Sequence, residues 1–347
     1  MARADVTVRG GGILGLACAW ACAKSGAHVR VIESRHIGAG ASGGVVGALA
    51  PHAPERWNRL KAFQLESLLL AEPWWAEVAH RGGTDPLYLR AGRLMPLADE
   101  AAVAQAHERS VAARDLWRGL AEWRVERVDG AAWGPLSPSG WVVRDTLAAR
   151  IHPRAALSAL AAALRESGAS LIEGAGADDR MDSGAVIHAT GPAGLDTLSR
   201  VLGRDMGGAV KGQAALLCLD RADAPQIGAP GLFVVPHGGG CVAVGSTSET
   251  TWESESPDAL LEAVIARGRA LVPALADAPV IERWAGLRPR ASGGRPVCGP
   301  WPGRPGHFIA NGGFRIGFAL APALAEGMAA LVLGEGNPLP AEFAIPA

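Results

Sequence analysis

The stretch DVTVRGGGILGLACAWACAKSGAHVRVIE, residues 5–33, decides the fold of this chain. Two valines alternate as in a short buried strand, and Gly10, Gly12 and Gly15 follow at the spacing G-x-G-x-x-G. This spacing predicts a helix directly after the glycines, and aliphatic residues then predict a second strand that delivers Glu33. In such a β-α-β unit the glycines let the backbone approach a pyrophosphate at the helix N-terminus, and the acid binds ribose hydroxyls. The stretch therefore predicts a dinucleotide-binding fold, with an ordinary glycine-rich turn as the alternative.

Length and composition exclude several other classes of protein. The chain has 347 residues, a formal net charge of −1 and 49% hydrophobic residues, which favours about two globular domains over a nucleic-acid binder or a disordered chain. We find no signal-peptide pattern and no apolar run of membrane-spanning length, so we expect a cytoplasmic enzyme. The five cysteines lack C-x-x-C spacing, which argues against a disulfide framework or a zinc site.

The middle of the chain departs from the alternation of strands and helices. A long helix is predicted from Leu60 to about Val78, interrupted by Pro73, and short strands and one helix follow it up to about Val128. This change of pattern predicts a second domain inserted into the first. Further on, Ser256 and Pro257 are expected to begin a helix as its cap and its first residue.

Several separated segments resemble the D-amino acid oxidase superfamily of FAD-dependent enzymes, in particular its glycine oxidase branch. The segments are VRGGGILGLACAWACAKSGAHVRVIE (8–33), GAGASGGVVGALAP (38–51), AVIHATG (185–191), WAGLRPRASGGRPVCGP (284–300) and NGGFRIGFALAPALAE (311–326). Any dinucleotide-binding protein can share the first segment, whereas the last two are far more specific.

The resemblance implies an α/β fold with a Rossmann-like FAD-binding domain of the glutathione-reductase type and an inserted antiparallel-sheet substrate domain. Residues 1–82, 146–206 and 286–347 are assigned to the first, and residues 83–145 and 207–285 to the second. The implied contacts to non-covalent FAD are Gly10, Gly12, Ile13, Leu14, Gly15, Glu33, Ser34, Arg35, Ala41, Ser42, Gly43, Gly47, Ala48, Thr190, Gly191, Gly312, Gly313, Phe314, Arg315, Ile316 and Gly317.

The same resemblance implies a substrate site. Arg288 matches the arginine that binds the substrate carboxylate, and Arg315 matches a second position near the flavin. His52 and His237 are further catalytic candidates, because each follows a proline in a segment expected near the flavin, although a structural histidine is equally compatible. Arg90 and Arg93 could line the pocket or form salt bridges.

The implied reaction is hydride transfer from the α-carbon of a small amino acid or secondary amine to flavin N5, giving an imine that hydrolyses. A single G-x-G-x-x-G leaves no second dinucleotide fold for a nicotinamide, so oxygen or a quinone-type carrier is the expected acceptor, with at most peripheral membrane contact. Oligomeric state remains open.

Three departures from the family pattern are visible. The only tyrosine is Tyr88, so Trp252 or His237 is expected over the substrate. Residues 174–184 are too few for the usual β-meander. Cys298 is a weak candidate for covalent flavin attachment.

Three other functions remain open at this level. The same carboxylate site would hold a 2-hydroxy acid. A tRNA wobble-uridine modifying enzyme has similar flavin motifs, although the near-neutral charge argues against a nucleic-acid partner. The chain could also be a flavoprotein subunit without turnover.

Overall fold

A parallel sheet forms around the first strand of the chain in the computed structural model, which describes residues 4–128, 130, 132–176 and 181–345. Every residue of that strand is buried, because it lies between two parallel neighbours and is covered on both faces. In spatial order the sheet consists of β15 (Val297–Pro300), β16 (His307–Asn311), β9 (Ala185–His188), β1 (Val6–Arg9), β2 (Val29–Ile32) and β8 (Ser170–Ile172). All pairs are parallel except β15 with β16.

Five helices of the described chain pack on or beside this sheet. They are α1 (Ile13–Lys24), α2 (Arg59–Gly82), α4 (Pro153–Glu166), α5 (Gly191–Leu202) and α7 (Gly317–Val332). The helix α1 packs against α7 and α4, and its alanines at 17, 19 and 21 are fully buried, so small side chains bring the helices close. As predicted, α2 spans residues 60–78, but it continues to Gly82 and is helical through Pro73.

A second, larger sheet supplies the other wall of the molecule. Its spatial order is β14 (Val280–Ala291), β10 (Gly207–Cys218), β13 (Cys241–Gly245), β12 (Leu232–His237), β11 (Gln226–Ala229), β4 (Arg93–Pro96), β6 (Trp141–Asp145) and β5 (Trp123–Arg127). Neighbouring strands are antiparallel apart from β11 and β4. A short ribbon of β3 (Ala48–Leu49) and β7 (Ala149–Arg150) completes the strands described.

Two further helices, α3 (Glu100–Leu116) and α6 (Ala259–Leu271), accompany the second sheet. The helix α6 corrects one prediction, because its cap is Asp258 and not Ser256. The Asp258 carboxylate accepts a hydrogen bond from the Leu260 amide at 2.9 Å, and Ser256 and Pro257 precede the helix. Lys211 and Gln213 of β10 also donate to Asp258, and this support favours the carboxylate as the cap.

The predicted fold class is confirmed by this combination of a covered parallel sheet and a mainly antiparallel one. The division into residue ranges stays a prediction, and β14 crosses its boundary at residues 285–286. The short region 174–184 lies partly outside the described residues. None of the helices that the structure describes combines the length and apolarity needed to cross a membrane.

Candidate functional site

A cavity of about 1000 Å³ lies where the two sheets meet. It is lined by the β1–α1 turn, by the segment after β2, by the ends of β9 and β16, and by one face of β14. All of the predicted FAD contacts line this cavity except Gly15 and Gly43. Residues that are far apart in the chain therefore form one continuous surface.

Two glycines of the β1–α1 turn lie so close to neighbouring backbone atoms that any side chain at these positions would clash. A Cβ atom at Gly10, whose φ is +111°, would lie 2.3 Å from the Ala189 carbonyl oxygen. A Cβ at Gly15 would lie 2.0 Å from the Gly10 carbonyl oxygen. Gly15 therefore does not line the cavity, but it allows α1 to pack closely against the end of β1. The turn leaves the N-terminal end of α1 facing the cavity, where it suits a phosphate.

Glu33 is held at the end of β2 by two backbone amides. Its carboxylate accepts hydrogen bonds from Gly11 at 2.7 Å and from Arg35 at 2.9 Å. Glu33, Ser34 and Arg35 all line the cavity. The carboxylate is therefore oriented before any ligand binds, as ribose recognition requires.

The segment 41–48 crosses the cavity as a short 3₁₀ turn followed by extended backbone. Ser42 accepts a hydrogen bond from the Ile13 amide at 3.0 Å and so joins this segment to the first turn of α1. A Cβ at Gly47 would lie 1.7 Å from the Ile151 carbonyl oxygen, and one at Gly43 would lie 2.1 Å from the Gly38 oxygen. Gly43 thus shapes the turn without contacting the cavity.

Two helix N-termini close the other side of the cavity. Thr190 and Gly191 begin α5, and the loop 312–317 begins α7. The Asn311 side chain joins the two, because it donates to the Gly191 carbonyl and accepts from the Gly312 amide, each at 2.8 Å. The positive ends of these two helices suit an electron-rich ring edge at this position.

This arrangement fits FAD. The glycine cradle, the oriented Glu33 carboxylate and three helix N-termini follow one cavity, and its volume is large enough for a dinucleotide and a small substrate.

Arg288, on the cavity face of β14, is the main candidate for binding an anion in this cavity. Its Nη1 donates to the Thr247 carbonyl at 3.1 Å, and it forms no ion pair within the described chain. Burial and then the nearby Arg315 lower its pKa to about 10, while Glu249 opposes that shift. The guanidinium is still charged at neutral pH and has donors left for a carboxylate.

Arg315 also lines the cavity but is exposed. It forms no ion pair with any residue that the structure describes. Together Arg288 and Arg315 make this end of the cavity electropositive.

His52 lines the cavity, and its tautomer is determined by Gln64. The Gln64 amide nitrogen donates to the Ala50 carbonyl at 3.2 Å, so its oxygen faces His52 and accepts from the backbone amide at 2.9 Å and from Nδ1 at 2.5 Å. Nδ1 therefore carries the proton, and Nε2 has a lone pair, no partner among the described residues and solvent access. Burial, with Lys61 and Arg93 nearby, lowers the pKa of His52 despite the opposing bond to Gln64.

His237 is a correction to the predicted catalytic set. It is fully buried and absent from the cavity lining, and its Nε2 donates to the Val45 and Val46 carbonyls at 3.1 Å each. Burial and then His152 lower its pKa to about 4, so the ring is neutral. It supports the segment that lines the cavity and does not reach a substrate.

Other predicted groups also lie elsewhere. Tyr88, Trp252 and Arg90 do not line the cavity. Arg93 does line it, but it is committed to a buried ion pair with Asp145 at 2.7 Å. Cys298 is buried away from the cavity, and burial raises the pKa of its thiol to about 12, which disfavours covalent attachment.

Three aromatic side chains that line the cavity were not among the predicted site residues. They are Phe233 of β12, Trp284 of β14 and Phe318 of α7. Trp284 stands four residues before Arg288, and strand alternation places both on one face, so this signal was available. Nothing local marks Phe233. Within the described residues no group of acidic, cysteine or histidine side chains could hold a metal.

The sequence matches known proteins along most of its length. The profile of the family "FAD dependent oxidoreductase" matches residues 5–331. The glycine oxidase of Bacillus licheniformis is 25% identical over 98% of this chain and 95% of its own. The putative thiamine biosynthesis oxidoreductase ThiO of Rhizobium etli is 29% identical over 96% and 98%.

A solved structure has the same fold. The crystal structure of glycine oxidase from Geobacillus kaustophilus superposes with a TM-score of 0.84 over 100% of this chain and 99% of that chain, at 23% identity. The family match covers both the glycine cradle and the strand that carries Arg288. The chain therefore belongs to the FAD-dependent oxidoreductase family and uses FAD as its cofactor.

Proposed function

We propose that this protein oxidises a small amino acid or secondary amine of the glycine, sarcosine or D-amino acid type. Bound FAD would accept a hydride from the α-carbon, and water would hydrolyse the resulting imine. The observation that carries this proposal is Arg288, a charged guanidinium in the cavity without a carboxylate partner in the described chain. An unpaired, partly buried cation is costly unless an anionic ligand compensates it.

Arg288 would bind the substrate carboxylate. A planar guanidinium can donate two parallel hydrogen bonds to a carboxylate, and this fixes orientation as well as position. Arg315 adds attraction for an anion at the same end. Because the α-carbon is bonded directly to the carboxylate, holding that group limits where the reacting C–H can lie.

His52 would receive the amino end of the substrate. Its unprotonated Nε2 can accept a hydrogen bond from an amine N–H, and it does not repel an ammonium because the ring is neutral. Below its lowered pKa both ring nitrogens become donors. Binding of the amine is then expected to weaken.

The loop 312–317 would stabilise negative charge at the end of the flavin. Bound FAD supplies the hydride acceptor, and the N-terminus of α7 contributes about 0.3–2 kcal/mol to an adjacent anion. Phe233 and Trp284, which line the cavity, would exclude water from the surroundings of the reacting carbon. We propose oxygen or a quinone-type carrier as the final electron acceptor.

Anaerobic reduction of the FAD-loaded protein tests this proposal. The panel contains glycine, sarcosine, D- and L-amino acids and 2-hydroxy acids, each followed by loss of the oxidised flavin absorbance. We expect one amine or amino acid class to reduce the flavin and the corresponding 2-hydroxy acids not to do so. Admission of air then separates an oxidase from a dehydrogenase.

Reduction by 2-hydroxy acids alone would transfer the proposal to that substrate class. A flavin that no member of the panel reduces would refute turnover of small substrates by this cavity.

A further inference from the structure

The strand pair that carries Arg288 contains two glycines directly opposite each other. Gly212 of β10 pairs with Gly286 of β14, between the pairs Val210 with Arg288 and Ala214 with Trp284. Residues opposite each other in an antiparallel pair lie on the same face of the sheet. The face that carries Arg288 and Trp284 therefore has a bare patch of backbone between them.

Because each glycine lacks a Cβ atom, a neighbouring planar side chain can lie in the space that a Cβ would fill. A Cβ at Gly212 would lie 1.7 Å from Nη1 and 2.0 Å from Cζ of Arg288. A Cβ at Gly286 would lie 2.4 Å from Cζ2 of Trp284. The guanidinium thus occupies the space that a side chain at Gly212 would need, and the indole occupies the space that a side chain at Gly286 would need.

Conformational freedom does not explain these two glycines. Neither has a positive φ, so the backbone at both positions is accessible to alanine. The requirement is for space alone, and the groups that use the space line the cavity.

We propose that Gly212 and Gly286 are positioning residues, Gly212 for the carboxylate-binding guanidinium of Arg288 and Gly286 for the indole of Trp284 that bounds the substrate beside it. The role of Gly212 rests on the proposed function of Arg288. The role of Gly286 adds a specificity element to that function, because the indole surface limits the size of the substituent on the α-carbon or the nitrogen of the substrate.

Gly212→Ala tests the first role, with Gly208→Ala as its matched control. Gly208 lies on the same strand, has no positive φ, and a Cβ there meets nothing within 4 Å. We expect Gly212→Ala to raise KM about tenfold or more with a smaller effect on kcat, because a tilted guanidinium loses its paired hydrogen bonds. Gly208→Ala should change neither.

A binding measurement separates this proposal from the proposed function. Acetate and its neutral analogue acetamide are titrated into the FAD-loaded protein by calorimetry. The wild type should prefer acetate, and Gly212→Ala should lose most of that preference. If the wild type shows no preference, the carboxylate role of Arg288 fails; if Gly212→Ala keeps the full preference, only the positioning role fails.

A double-substitution cycle excludes a general disturbance of the sheet. In an Arg288→Ala background, Gly212→Ala should alter KM and acetate binding less than about twofold, because the residue through which it acts is gone. If Gly212→Ala alone does not fold, Arg288→Ala must restore folding by removing the clash. A further loss in that background, or failure to fold there, would overturn the role of Gly212.

Gly286→Ala should give the complementary result. Displacing the indole into the cavity should lower kcat/KM for bulky substrates more than for small ones, while the preference for acetate over acetamide is kept. An equal effect on all substrates, or an effect that persists unchanged in a Trp284→Ala background, would contradict the role of Gly286.

Discussion

Replacing Arg288 with methionine should weaken substrate binding and at the same time leave the protein as stable as before, or more stable. The reason is that this guanidinium is charged and partly buried and has no carboxylate partner in the described chain. Methionine keeps much of the side-chain volume and removes the charge. Binding and stability are therefore expected to change in opposite directions.

The stability change follows from the lowered pKa. Burial and then Arg315 lower the pKa of Arg288 from its ordinary, higher value to about 10, and at 1.36 kcal/mol per pKa unit this disfavours the charged folded form by about 3 kcal/mol at most. The penalty is present at neutral pH, because the unfolded chain holds the proton more tightly, and it disappears as pH rises through this interval. Loss of the bond to Thr247 offsets about 1 kcal/mol. The free energy of unfolding should thus rise by up to about 2 kcal/mol.

The binding change follows from the lost hydrogen bonds. Two charge-assisted contacts contribute roughly 3–6 kcal/mol, so KM or the substrate Kd should rise by about two to four orders of magnitude. Denaturant unfolding and steady-state kinetics measure the two effects. Arg283→Met is the control, because Arg283 is exposed on the same strand and its ion pair with Glu262 lies at the surface, where such pairs contribute little to stability. Destabilisation by more than the roughly 1 kcal/mol of the lost hydrogen bond, or an unchanged KM, would refute the reasoning.

Three further predictions concern the cofactor cradle and the two histidines. The pKa of His237 is about 4 in the folded protein and 6.5 when unfolded, so the free energy of unfolding should decrease as the pH is lowered from 6.5 to 4. His237→Gln should make the free energy of unfolding less dependent on pH in this interval. Gly15→Ala, which forces a Cβ to 2.0 Å from a carbonyl oxygen, should abolish retention of FAD, whereas Gly26→Ala, strained at φ +92° but in open space, should keep the flavin absorbance. Nitrogen NMR at neutral pH should find His52 as the Nδ1–H tautomer, and Gln64→Leu should remove that preference; a protonated ring would contradict it.

Sequence reasoning was most successful where neighbours in the chain determine the structure. The β1–α1–β2 unit was predicted because its glycine spacing, strand alternation and terminal acid all lie within residues 5–33. Most of the predicted cavity residues belong to such glycine-rich turns, whose backbone geometry is a local property. The predicted N-cap of α6 was wrong for a related reason. Ser256 and Asp258 are both good caps, and contacts with β10, far away in the chain, favour Asp258.

The histidines show where local reasoning ends. His52 and His237 both follow proline in apolar segments, so the sequence treats them alike. In the structure His52 reaches the cavity because Gln64 holds its ring there, 12 residues away. The ring of His237 instead faces Val45, 192 residues away, and is enclosed. Only the packing of β12 against the segment after β2 decides between a ligand-facing and a structural histidine.

The contact between Arg288 and Gly212 depends on the register of two strands. The motif containing Arg288 marks it as an anion-binding residue, but its side chain needs a place to lie, and that place is on another strand. A shift of β10 by one residue would put Lys211 or Gln213 in place of Gly212 and turn the face of the strand over. The neighbouring sequence therefore does not indicate why Gly212 is a glycine, since it lies in a strand and not in a turn, and its φ is not positive. Its function exists only in the pairing of β10 with β14, so the affinity of the site depends on a register that no short motif encodes.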